Sequence, residues 1–206
     1  MHGFKTEGII LKRRNFGEAD RILTVFTLSK GKISIVAKGV RRISSRRAGN
    51  VELLNRVVLY LHQTKGMPIL TEAESLETYQ RIKSDLTLST YAYHLIELVD
   101  KLTAENQENR ILYEHLLEVL KRLSKNPRQI FIRAFEAKIL SNLGFLSFLG
   151  KEDLLKDMEE KSWNEIEKIK ISEKEAMELE HVLRYHIERV IESPLKARKF
   201  LSAKPT

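Results

Sequence analysis

The hydrophobic period of this 206-residue chain changes near residue 80. Before that point apolar residues alternate or run in short β-branched stretches. Beyond it they recur every three or four positions, as on one face of a helix. A sequence with such a switch builds a sheet first and helices afterwards, so the fold class expected is α+β.

Five strands are expected in the first part. Lys5–Arg13 carries Ile9, Ile10 and Leu11, and Asp20–Leu28 carries Ile22, Leu23, Val25 and Phe26. Ser29-Lys30-Gly31 makes a tight turn into Lys32–Lys38, where Ile33, Ile35 and Ala37 face one way and Lys32, Ser34 and Lys38 the other. Arg56–Gln63 alternates through Val57, Leu59 and Leu61, and Ile69–Leu76 follows a turn over residues 64–68. Five short strands leave edges that a closed sheet removes. An OB-fold Greek-key barrel over residues 1–79 is the solution expected, with an SH3-like barrel as the competitor.

Residues 80–206 are expected to form an all-α region. Tyr91, Leu95, Leu98 and Leu102 share one helix face, and Tyr113, Leu116, Leu117, Leu120 and Leu123 another. Asn126-Pro127 reads as the N-terminus of a third helix, which carries Ile130, Phe131, Ala134, Phe135 and Leu143 and stops at Gly144. Ser172-x-x-Glu175 is a capping box opening a further helix, which Ser193-Pro194 breaks before a short terminal helix over Leu195–Ser202. The charged stretch 150–171 is expected to be a helix or a solvated connector.

Charge is divided as unevenly as period. Residues 1–80 hold 14 Lys and Arg against 7 Asp and Glu, whereas residues 81–206 hold 22 against 21. A polyanionic partner for the N-terminal part follows from this asymmetry. The densest basic run is Lys38-Gly39-Val40-Arg41-Arg42-Ile43-Ser44-Ser45-Arg46-Arg47, which leaves the third strand. Arg suits the role because its planar fork pairs bidentately with phosphate. A second group, Lys12-Arg13-Arg14, follows the first strand. Lys12, Arg13, Arg14, Lys38, Arg41, Arg42, Arg46 and Arg47 are therefore the expected nucleic-acid contacts. Phe16, Phe26 and Tyr60 are the few aromatics nearby, and Phe26 is expected in the core. Backbone grip is favoured over base reading.

Other chemistry is sparse. Glu18 and Asp20 sit in a turn with no histidine near, and one of them is expected to neutralise a neighbouring Arg. His181 and His186 are five apart and diverge on a helix, so no metal site is expected. There is no cysteine, no Walker or GxSxG motif, and no apolar run long enough to span a bilayer. No secretory leader, no cofactor and no enzymatic activity are expected. On the third long helix, Arg128, Arg133 and Lys138 lie beside Phe131 and Phe135, a pattern that suits either an amphipathic core helix with a solvated basic edge or a face able to receive an acidic, aromatic-ended peptide.

Several motifs resemble those of the bacterial DNA repair and recombination mediator family RecO. They are Lys5-Thr6-Glu7-Gly8-Ile9-Ile10-Leu11-Lys12, Gly17-Glu18-Ala19-Asp20-Arg21-Ile22-Leu23, Gly31-Lys32-Ile33-Ser34 and Val36-Ala37-Lys38-Gly39-Val40-Arg41-Arg42. Phe135-Glu136 with Leu143-Gly144-Phe145, and Leu195-Lys196-Ala197-Arg198-Lys199-Phe200-Leu201, resemble the family's central helix and its C-terminal ending. The resemblance implies an OB-fold followed by a helical domain. It implies binding of single- and double-stranded DNA, strand annealing, and contact with RecR and with the acidic tail of single-stranded DNA-binding protein, so that RecA is loaded on coated strands. It carries the DNA-binding role onto Arg13, Arg14, Lys38, Arg41, Arg42, Arg46 and Arg47, and the tail-binding role onto the helix around Arg133. A cytoplasmic, nucleoid-associated protein with no membrane contact is implied. Many members of that family insert a four-cysteine zinc module where this chain has residues 150–171, so zinc is not expected here. A protein-joining scaffold and an RNA-binding barrel are the alternatives.

Overall fold

A computed structural model describes residues 3–146 and 153–191. The expected terminal helix over Leu195–Ser202, with the break before it, lies outside these residues. The described chain forms two compact units. One comprises the residues up to Gln80 together with Thr103–Tyr113, the other Arg81–Leu102 with the residues from Glu114 onward. The expected boundary after residue 79 is thus crossed once, by a segment that returns to the first unit.

In the first unit, β1 (Gly3–Phe16), β2 (Asp20–Thr27), β3 (Gly31–Ala37), β4 (Arg56–His62) and β5 (Ile69–Glu77) close into a barrel in the order β1-β2-β3-β5-β4. β1 is long enough to pair antiparallel with β4 through its first half and with β2 through its second, bending at an irregularity between Ile10 and Lys12. A parallel bridge between Val36 and Ile69 completes the ring. This is the OB-fold arrangement. The alternation read in β3 and β4 sets the interior: Ile33, Ile35, Val57, Leu59 and Leu61 pack there with Ile10, Leu23 and Val25. Each such aliphatic side chain contributes about 1.5–3 kcal/mol by leaving water.

The alternation misplaces Lys32, which is buried although its neighbours in register suggest an outward face. The cause is the returning segment. The Asn106 N–H donates to the Lys32 carbonyl at 2.8 Å, and the Ser34 hydroxyl donates to Glu105 at 2.9 Å. Tyr113 donates to Glu7 at 2.8 Å, and Arg56 Nε reaches the same oxygen at 2.7 Å. Burial alone would raise the Glu7 carboxyl, but these two hydrogen bonds and the Arg56 charge outweigh it and hold the group below its ordinary value.

Gly31 takes a φ of 64°, and a β-carbon there would overlap the Gln107 backbone. Gly31→Ala is expected to cost about 1–3 kcal/mol from backbone conformation alone. The overlap adds to this, and the fall in thermal midpoint measures the sum.

The second unit contains α1 (Gln80–Ser84) for all but its first residue, α2 (Leu86–Leu102), α3 (Arg110–Lys125) beyond Tyr113, α4 (Gln129–Asn142), α5 (Asp153–Glu160), α6 (Trp163–Lys168) and α7 (Glu173–Ile191). No described helix is long and apolar enough to cross a membrane. α4 is central and packs against α2, α5, α6 and α7. It begins later than Asn126-Pro127 suggests, with Arg128 as N-cap, because the Asn126 N–H bonds back to Arg122 and closes α3 instead. The Ser172–Glu175 capping box is formed, and a second one, Ser162–Glu165, opens α6. The described part of the stretch 150–171 is not a solvated connector: Leu155, Met158 and Ile166 are buried. Only Leu155 and Met158 stand at helical spacing, three apart on α5, and Ile166 is alone on α6, which is too little within a charged run to stand out as a helix face.

Candidate nucleic-acid interface

The basic run occupies the connection from β3 to β4 and is ordered by its own residues. Gly39, at a φ of 65°, turns the chain sharply out of β3. Its N–H donates to Asp20 Oδ1 at 2.7 Å. Asp20 therefore anchors backbone, and the expectation that it neutralises an Arg is replaced by this contact. The Arg41 N–H donates to the Ala19 carbonyl at 2.9 Å, and Arg41 Nη1 donates to the Gly17 carbonyl at 3.3 Å. The β1–β2 turn and the basic loop are thereby fastened together. Val40, Val51 and Leu54 plug the loop into the core.

Arg47 is a structural tie. Its Nη1 donates to the Leu70 carbonyl at 2.7 Å and its Nη2 to the Lys38 carbonyl at 2.8 Å. Asn50 Nδ2 donates to the Ala73 carbonyl at 2.7 Å, fixing the loop's return to β5. Arg13 forms an ion pair with Glu52, which Arg21 also approaches at 3.5 Å.

The eight expected contacts therefore divide. Lys38, Arg42 and Arg46 are exposed and have no carboxylate partner among the described residues, while Arg41 and Arg47 spend hydrogen bonds on carbonyls. Arg13 is half-buried against Glu52, and Lys12 and Arg14 are exposed on β1. Behind the loop lies a recess of about 480 Å³, lined by Lys38, Arg42, Arg46 and Arg47 together with Asp20, Gly39, Ser44 and Ser45. The Lys12-Arg13-Arg14 group does not line it. Ser44 and Ser45, the two serines of the basic run, both line it, and the Ser45 hydroxyl oxygen is buried. Of the aromatics, Phe26 is in the core, Tyr60 is half-buried beneath Lys5, and Phe16 is half exposed at the end of β1. The arrangement offers cations on a firm frame with one aromatic edge beside it.

The peptide-binding face expected on α4 is not a face. Phe131 and Phe135 are fully buried. Lys138 Nζ donates to the carbonyls of Glu159 and Lys161, each at 2.8 Å, and so caps the end of α5. Arg128 donates to the carbonyls of Glu167 and Ile169 at the end of α6. Arg133 pairs with the buried Glu136 at 2.7 Å. These cations hold neighbouring helices to α4 and leave no open basic edge among the described residues.

Comparison with known proteins agrees with this architecture. A family model described as "Recombination protein O N terminal" matches residues 1–79, and one described as "Recombination protein O C terminal" matches residues 83–147. A DNA repair protein RecO of Acetivibrio thermocellus is 39% identical over 153 residues, covering 73% of this chain and 61% of the relative. One from Roseiflexus is 36% identical over 143 residues, covering 69% and 50%, and one from Listeria monocytogenes is 32% identical over 148 residues, covering 71% and 58%. The chain thus spans between half and about three-fifths of the length of these relatives. Since both family models match in order and together take in most of the sequence, the chain belongs to the recombination protein O, or RecO, family.

Proposed function

We propose that this protein acts in DNA repair and recombination by holding DNA strands through their phosphates, annealing complementary strands, and helping to load the RecA recombinase onto strands coated with single-stranded DNA-binding protein. The observation that carries the reading is the trio Lys38, Arg42 and Arg46, exposed on a loop that Asp20, Arg47 and Asn50 hold rigid. A firm cationic surface neutralises a polyanion without the entropic cost of ordering a flexible loop. Similarity to proteins named for DNA repair supports the same reading. RecR and the acidic tail of single-stranded DNA-binding protein are the proposed protein partners, and the nucleoid within the cytoplasm the proposed location. No site for either partner is assigned to α4, whose cations are engaged.

Annealing of complementary strands, each coated with single-stranded DNA-binding protein, tests the proposal. The protein is expected to raise the annealing rate at least about tenfold at low salt and to lose most of that effect as salt rises. A rate equal to that without the protein at low salt would sink the annealing role.

A further inference from the structure

A residue lining the recess at the β3–β4 loop carries a polar atom that the described fold does not use. The Ser45 hydroxyl oxygen is buried and meets no hydrogen-bond partner among the described residues. Such an oxygen costs about 1–3 kcal/mol unless something satisfies it, and buried polar groups are paired in the great majority of structures. Ser45 is one of the residues lining a recess whose wall also carries Lys38, Arg42 and Arg46. The one carboxylate there, Asp20, is engaged by the Gly39 N–H. The volume of about 480 Å³ suits a small ligand group rather than a lone water.

We propose that this recess is a discrete single-phosphate site, in which the Ser45 hydroxyl supplies one directed hydrogen bond and Lys38, Arg42 and Arg46 supply the charge. The site rests on the DNA-binding reading above and deepens it. Cations on an open surface hold any stretch of backbone equally. A hydroxyl on a residue that lines a recess holds one phosphate in one place and sets the register of the strand. Arg47 and Asp20, which also line the recess, fix its backbone through the carbonyls of Leu70 and Lys38 and the Gly39 N–H. The phosphate comes from one of two sources, a terminal phosphomonoester or a kinked internal phosphodiester.

Fluorescence anisotropy with the full chain and its Ser45→Ala variant separates these sources. A short single strand with a 5′-phosphate is compared with its 5′-hydroxyl twin, and a series carries one neutral methylphosphonate at each internal position. For a terminal phosphate, the 5′-phosphorylated strand binds the full chain about tenfold more tightly than its twin, and Ser45→Ala erases the difference. For an internal one, a single methylphosphonate position costs about tenfold in the full chain and almost nothing in Ser45→Ala. Equal binding by the variant, or an equal cost at every position, overturns the site and leaves the DNA-binding reading standing. Titration with inorganic phosphate, followed by the amide shifts of Gly39, Ser44 and Ser45, covers the remaining case. If no strand binds but these shifts appear and vanish in Ser45→Ala, the site stands and the DNA reading falls. If neither is seen, both fall.

Discussion

Reversing Lys38, Arg42 and Arg46 to Glu is expected to weaken DNA binding by about 100-fold or more near 0.1 M salt, with the thermal midpoint almost unchanged. The size follows from counterion release. Each phosphate contact contributes roughly 0.7–0.9 to the slope of log affinity against log salt, so losing three contacts flattens that slope by about 2–3. Repulsion by the introduced carboxylates adds to the loss. Stability is spared because all three side chains are exposed and lack carboxylate partners among the described residues, and such substitutions usually stay within about 0.5 kcal/mol. Arg41 and Arg47 belong in a different experiment. Arg47→Ala strips donors from the carbonyls of Leu70 and Lys38 and is expected to cost about 1.5–3 kcal/mol. A quadruple reversal over Arg41, Arg42, Arg46 and Arg47 would confuse loss of contact with loss of the loop. Anisotropy across a salt series, beside a thermal melt, is the measurement. If the triple variant binds as the parent does, the β3–β4 loop is not the DNA contact.

The sequence made some of these residues legible and not others, for identifiable reasons. Alternation in β3 and β4 places Ile33, Ile35, Val57, Leu59 and Leu61 inside, because period two is a local property of an extended chain. Lys32 breaks the pattern because residues 103–109, far along the chain, cover it. The basic loop was visible as composition, yet composition does not distinguish Arg42, which faces solvent, from Arg47, which bonds to carbonyls of β5. The same limit explains α4. Arg128, Arg133 and Lys138 beside two phenylalanines read as an open docking edge until the ends of α5 and α6 are seen to arrive there. Cations beside an apolar face serve either solvent or a neighbour's carbonyls, and only the tertiary arrangement decides between them. Asp20 was singled out for its charge, but its role depends on a glycine N–H 19 residues away.

The largest stability effect is expected from Glu136→Ala, at about 3–5 kcal/mol. Glu136 lies on α4 and is fully buried. His94 Nε2, from α2, is 2.6 Å from one of its oxygens, and Arg133 Nη1 donates to the other at 2.7 Å. Arg133 also comes within 3.8 Å of Glu180 on α7. One carboxylate therefore ties α2 to α4, and removing it takes the closest partner from the partly buried Arg133 and leaves an imidazole whose Nδ1 also lacks a partner among the described residues. Glu136→Gln keeps the shape and one hydrogen-bond acceptor, so a smaller loss of about 1.5–3 kcal/mol is expected. Burial by itself would raise the Glu136 pKa, but the Arg133 charge and the His94 hydrogen bond outweigh it and hold the carboxyl below 4.5. Because the folded value is the lower one, the contribution is complete above 4.5 and is lost as pH falls through the folded value. Urea unfolding followed by Trp163, the only tryptophan and a member of the same unit, reports the effect. Glu136→Ala should lower the midpoint strongly at pH 7 and less as the pH is taken below 4.5, where the parent loses the same interaction. A midpoint shift that stays constant from pH 7 to pH 3 would mean that lost packing, and not the ionised carboxylate, accounts for the destabilisation.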